Sequence, residues 1–274
     1  MKYNNNKSYN YFAIIITLFI ILCTNDRCIV SENHTYSTTV PSQTIKWQLE
    51  IPADKDGIEV VNHTYYTLGY VEEWEQPAWV AYQLTSLMLN NKVKRKDNFR
   101  EDNAVKTGSA YPGDYSNSGY DKGHLCPAGD MMFSEIAMSE TFFMSNMSPQ
   151  VPEFNRGIWK SLESLIREWA KKEKKLYIVT GPIIKPGYKK IGYINKVAVP
   201  QYFYKAVLYY GDKTKKSIGF ILPHEGSKQP LSTYAVSIDS VEKMTGLDFF
   251  YKLPDEEEEI IENKVKKWEW KWPE

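Results

Sequence analysis

Residues 155–175 read NRGIWKSLESLIREWAKKEKK. Within them Ile158, Leu162, Leu165, Ile166 and Trp169 recur at spacings of three and four, which predicts an amphipathic helix with one buried face. Its last turn is rich in lysine, where the negative end of the helix dipole favours cations. The segments on either side follow a different period. Upstream, YYTLGYV (65–71), WVAYQLT (79–85) and TFFMSNM (141–147) mix β-branched and aromatic residues and read as strands. Downstream, LYIVTGPII (176–184) reads as a short buried strand. Residues 200–223 read as a hairpin whose arms flank the polar loop GDKTKK. Strands, one strong helix and strands again, without regular alternation, predict an α+β fold rather than a doubly wound sheet.

The chain has 274 residues, enough for one large domain with a real core or at most two small ones. Its 34 basic and 34 acidic residues cancel, so the total charge names no polyanionic partner and local charge must carry that argument. The loop NNKVKRKDNFRED (90–102) offers Lys92, Lys94, Arg95, Lys96 and Arg100. At the N-terminus Lys2 and Lys7 precede YFAIIITLFIILC (11–23), too short to span a bilayer comfortably but suited to the apolar core of a secretory signal. Residues 1–24 are therefore expected to direct export, giving a secreted or periplasmic protein, or a membrane-anchored one if the segment stays uncleaved. Residues 25–48 are polar and read as a linker. Residues 49–254 form the expected domain, and 255–274 a tail. In that tail DEEEEIIENKVKK reads as a solvated face, and an extended WEWKW would put Trp268, Trp270 and Trp272 on one side. Cys28 and Cys126 could pair only if the N-terminal arm folds back onto the domain; a lone buried Cys126 is the plainer expectation.

The chemistry concentrates in SGYDKGHLCPAGDM (118–131), which places an acid, a base, a glycine and an imidazole consecutively at Asp121, Lys122, Gly123 and His124. Near neutral pH histidine is the usual general base, and a lysine beside it supplies positive charge for a phosphate oxygen. Gly123 leaves the backbone free to turn and a substrate free to approach. Downstream, Asn155 offers a neutral, hard oxygen and Glu163 a carboxylate. Magnesium takes few protein oxygens and keeps several waters, so this sparse pair suits it. In a continuous helix Asn155 and Glu163 would lie about 80° apart around the axis and about 12 Å apart along it, so both could not ligate one ion directly.

The runs DKGHLCP (121–127), SNMSPQ (145–150) and NRGIW (155–159) occur in the order and at the approximate spacing of the linked motifs of DNA/RNA non-specific endonucleases, which the chain resembles. The likeness runs from WVAYQLT through the hairpin to TGLDFF (245–250). It implies a ββα-metal nuclease fold, with a central mixed or antiparallel sheet flanked by helices. It implies a metal-dependent, sugar-non-specific endonuclease hydrolysing phosphodiester bonds in DNA and RNA without sequence specificity. By the same resemblance His124 is the general base, Asn155 the direct magnesium ligand, Glu163 the holder of a water on the metal and Asn146 a residue that orients the site. Arg95 corresponds to an upstream phosphate-clamping arginine, with Arg100 as competitor. Manganese is the alternative ion, and a homodimer is left open. One departure is Lys122, where the family motif has arginine; charge is kept, but the bidentate fork is lost.

Two other readings compete. Cys126, two residues after His124, invites a cysteine hydrolase, but no third orienting group is evident. An exported nucleic-acid-binding protein with weak or lost nuclease activity draws its support from Lys122 alone. His34, His63 and His224 show no partner pattern and are expected to pack or lie at the surface. Phe142 and Phe143 are expected in the core.

Overall fold

The computed structural model describes residues 48–90 and 93–273. The leader, nearly all of the linker, Cys28, His34 and Lys92 lie outside the described residues. Residues Lys46–Glu274 cluster into one compact unit.

Strand β3, Gln76–Thr85, shows how the layers are set. Val80, Tyr82 and Leu84 point into one core and Trp79 and Ala81 into another, so the strand is apolar on both faces and must be covered on both. Its sheet is seven-stranded and antiparallel throughout, in the order β1-β2-β3-β6-β9-β10-β11. The remaining members are β1 (Glu59–Asn62), β2 (Tyr66–Val71), β6 (Lys175–Ile183), β9 (Tyr202–Tyr210), β10 (Lys215–Pro223) and β11 (Ala235–Val236). The edges are short strands, which limits pairing with other chains. Two small pairs stand apart: β4 (Asp121–His124) with β5 (Met147–Gln150), and β7 (Lys190–Ile191) with β8 (Val197–Ala198).

One face of the sheet is covered by α2, Lys160–Glu173, whose Leu162, Leu165, Ile166 and Trp169 meet Phe203, Val207 and Phe220. On the opposite face α3 (Ile238–Thr245) and α4 (Asp255–Glu262) bring Ile238, Val241 and Ile261 onto Val179, Ala206 and Leu208. A short α1, Glu135–Glu140, begins at Ser134, whose hydroxyl accepts from the Ala137 amide at 3.4 Å.

The α+β class and the hairpin agree with expectation, and three local readings are corrected. The run 141–147 is not one strand, since only Met147 enters β5: Thr141 continues the end of α1 and Met144–Asn146 is a 3-10 turn, so that Phe142 fills a small core with Ala128 and Met138. Helix α2 begins at Lys160 rather than Asn155. Gly157 takes φ −104° and ψ −110°, which breaks the helix and leaves Phe154–Trp159 as a wide turn in front of it. The angular separation calculated for Asn155 and Glu163 therefore does not apply, because no single axis joins them. The tail, finally, packs. Ile261 and Glu262 are buried, and a 3-10 turn at Lys267–Glu269 separates Trp268, 80% exposed, from Trp270, 3% exposed. Trp270 and Trp272 close over Trp169 with centroids 4.5 and 5.5 Å away.

Candidate active site

Strand β4 pairs with β5 in the register Asp121↔Gln150, Lys122↔Pro149, Gly123↔Ser148 and His124↔Met147. A strand alternates its faces, so Lys122 and His124 project to the same side. Both reach Phe99: the Lys122 ammonium lies 5.1 Å from its ring centroid and the imidazole 5.8 Å. Gly123 is needed for a reason other than a turn. It sits within the strand, and a Cβ there would fall 2.2 Å from the side chain of Gln150.

The imidazole of His124 is wedged edge-on against Phe142 at 4.9 Å, and its Nε2 is sealed from solvent with no hydrogen-bond partner among the described residues. Burial, and then the positive charge of Arg95, pull its pKa down from 6.5 to about 3, so the ring is neutral at physiological pH. The strand end that carries it is fixed by Asn146. That buried amide accepts from the Cys126 amide at 2.9 Å and donates to the carbonyls of Cys126 and Thr141 at 3.0 and 2.9 Å. The indole of Trp159 donates to the His124 carbonyl at 3.4 Å.

Asn155 stands in the wide turn ahead of α2 and donates from Nδ2 to Asp121 at 2.9 Å. Its Oδ1 meets no protein donor among the described residues. Asp121 also takes both arms of Arg156, at 2.9 and 2.6 Å. Burial pushes its carboxyl up, but the Arg156 and Asn155 hydrogen bonds and the Arg156 charge outweigh it and leave the pKa low. Asp121 thus ties the histidine strand to the turn carrying Asn155. Glu163 lies on the first turn of α2, and burial raises its pKa to about 7 against the pull of Lys205, Arg167 and Arg95.

Of the two candidate arginines, Arg95 lies over Phe142 at 4.9 Å, and its charge reaches both His124 and Glu163. Arg100 is occupied elsewhere: it stacks on Phe143 at 3.8 Å and donates to the carbonyls of Asn98 and Ser139. Cys126 is buried and free, and burial holds its thiol protonated, which removes the cysteine hydrolase. His63 bonds to buried Asp102 at 2.9 Å. His224 accepts from the Val151 amide and therefore donates through Nδ1 to Pro200, both at 2.8 Å. Both imidazoles serve packing.

Beneath the site lies a charged layer that sequence reasoning missed. Lys205 is buried in β9, 3.1 Å from the Thr180 hydroxyl and 4.5 Å over the Trp159 ring. Buried Asp130 accepts from Arg167 at 2.8 Å and from the Tyr82 hydroxyl at 2.9 Å. The available signal was a single charge inside the apolar run YFYKAVLYY.

The family model for DNA/RNA non-specific endonucleases matches residues 49–256. The chain belongs to that family. Its members are nucleases, hydrolases acting on nucleic acid, and the likeness holds in individual relatives. Zebrafish mitochondrial nuclease EXOG is 36% identical over 212 residues, 72% of this chain, which spans 62% of that relative. Nuclease C1 of Cunninghamella echinulata is 39% identical over 69% of this chain and 81% of its own. The mitochondrial nuclease of Saccharomyces cerevisiae is 33% identical over 76% of this chain and 70% of its own. Among solved structures, the EndoG/EndoGI complex, described as revealing the mechanism of EndoG inhibition, matches with a TM-score of 0.68 and 32% identity. It covers 76% of this chain and 91% of the other.

These relatives correct the expectation of export. The zebrafish, frog, mouse and both yeast proteins are named mitochondrial nucleases, which points to mitochondria rather than to secretion. The physical reason for the misreading is that a short apolar run behind two lysines reports its affinity for a membrane, not which membrane receives it. Among the described residues, no helix is long and apolar enough to cross one.

Proposed function

We propose that this nuclease is a magnesium-dependent endonuclease cutting phosphodiester bonds in both DNA and RNA, with His124 as general base and residues 49–254 as its catalytic domain. The observation that carries the reading is His124 itself: a neutral imidazole whose Nε2 has no partner among the described residues, on the same strand face as a lysine. A neutral imidazole with an uncommitted lone pair is what proton abstraction requires, once a water is brought to that nitrogen.

The donor set fits a hard cation. Asn155 presents an oxygen without a protein donor among the described residues, and Glu163 is a half-buried carboxylate whose ionised form a nearby positive charge would favour. These two residues would hold magnesium, or manganese in its place, Asn155 directly and Glu163 through water. When bound, the ion supplies Lewis-acid stabilisation of charge on the phosphate and the departing oxygen. His124 takes the proton of the attacking water at Nε2. Lys122 and Arg95 place positive charge beside the phosphate oxygens. Asp121 fixes the Asn155 amide, and Asn146 fixes the backbone just after His124. Because the nucleophile is water and not a ribose 2′-hydroxyl, both sugars serve as substrate.

One observation favours a second reading, a nucleic-acid binder with feeble catalysis: Lys122 lacks the arginine fork. Digestion of supercoiled plasmid and total RNA by the full chain, with magnesium and with chelator, separates the two. The expected result is cleavage of both substrates that chelator abolishes; intact substrates that shift on a gel would favour the binder. In the same assay Lys122→Arg is expected to raise kcat a few-fold, about 1 kcal/mol of transition-state stabilisation. No gain would remove the binder's only support.

A further inference from the structure

We propose that Asp239, Glu242 and Glu262 form a calcium site that joins α3 to α4, on the face of the sheet opposite α2. Asp239 and Glu242 are three apart on α3 and share one side of it, and Glu262 ends α4. Each offers a carboxylate oxygen, and the three oxygens lie within 4.8 Å of one another. Calcium binds oxygen at about 2.3–2.6 Å, so two ligands of one ion are separated by at most about 5 Å, and all three oxygens fit a single coordination shell.

The second observation is the state of Glu262. Only 4% of it is exposed, and its Oε1 has no hydrogen-bond partner among the described residues. A buried carboxylate is normally held by donors or by a cation. Here the surroundings are negative. The charges of Glu242, Glu258, Asp239 and Asp248 all act on Glu262, and no lysine or arginine pairs with any of the three among the described residues. The backbone contributes one donor, the Phe249 amide, at 2.7 Å from Glu242. A divalent cation supplies what this arrangement lacks. Calcium suits it better than magnesium, because magnesium seldom occupies a cage built wholly of carboxylates and keeps its waters instead. Ile238, Val241 and Ile261 place this cluster on the layer away from His124, so its ion would serve structure: it would fasten the C-terminal helix to α3.

The test is calcium titration of the chelator-treated full chain, read by thermal unfolding and by calorimetry. Millimolar calcium is expected to raise the Tm by several degrees. Asp239→Asn, at an exposed position that folding tolerates, is expected to weaken calcium binding at least ~10-fold by removing a charged ligand. Glu262→Gln is expected to abolish the Tm rise while making the calcium-free protein no less stable, since burial among like charges already favours the uncharged carboxyl that glutamine imitates. Asn155→Ala is expected to leave the calcium effect intact. The proposal falls if wild-type protein shows neither heat nor Tm shift. It also falls if the shift survives both carboxylate substitutions, or is lost in Asn155→Ala instead.

Discussion

His124→Ala is expected to lower kcat on both DNA and RNA by ~10²–10⁴-fold, the usual contribution of a positioned general base, while binding of uncut substrate is retained. The argument rests on geometry. Among the described residues no other imidazole is available, since His63 is bonded to Asp102 and His224 is bonded at both nitrogens. The carboxylates near His124 are also committed: Asp121 holds Asn155 and Arg156, and Asp130 holds Arg167 and Tyr82. Stability gives an independent readout. The folded imidazole has a pKa of about 3 against 6.5 in the unfolded chain, so between these values only the unfolded state takes up the proton. The stabilisation from keeping His124 neutral is therefore complete above pH 6.5 and is lost as pH falls toward 3. Denaturant melts of wild type should weaken over that window, and His124→Ala should flatten the slope. A variant that cleaves at the wild-type rate would transfer the base to another group.

The sequence made some of this legible and concealed the rest for identifiable reasons. The spacing of Leu162, Leu165, Ile166 and Trp169 reports one buried face, and all four are buried against the sheet. The short motifs around His124, Asn146 and Asn155 mark where polar side chains interrupt the apolar pattern. Gly157 was hidden because an apolar period can run unbroken through a glycine, while the backbone there turns out of the helix. Lys205, Asp130 and Arg167 were hidden because their grouping depends on β9 crossing beneath α2, a contact between distant parts of the chain. The tail was misread because charge outweighs two buried positions, Ile261 and Glu262, at the end of an otherwise wet helix. Local pattern reports which face is wet, whereas the company a buried charge keeps is decided by topology.

The other large effect is expected at Asn146, which should act without touching substrate. Its Oδ1 and Nδ2 are committed to three backbone groups, the amide and carbonyl of Cys126 and the carbonyl of Thr141. Asn146→Ala strips the partner from each of them in a site with no exposure. A buried polar group left unpaired costs about 1–3 kcal/mol, so the three together should lower stability by ~3–5 kcal/mol even after some relaxation. For a domain of this size that corresponds to a fall in Tm of roughly 10–15 °C. Asn146→Asp is the sharper variant: it keeps the acceptor for the Cys126 amide but turns a carboxylate toward two carbonyl oxygens. It should be at least as unstable as the alanine form. Kinetics well below the lowered Tm then separate positioning from bulk stability. The amide clamps the chain two residues past His124, so its loss should let the imidazole drift, reducing kcat while leaving KM nearly unchanged, because the proposed phosphate contacts of Lys122 and Arg95 are untouched. A fall in stability with kcat intact would mean that the β4–β5 pairing and the Trp159 bond to the His124 carbonyl suffice to hold the base in place.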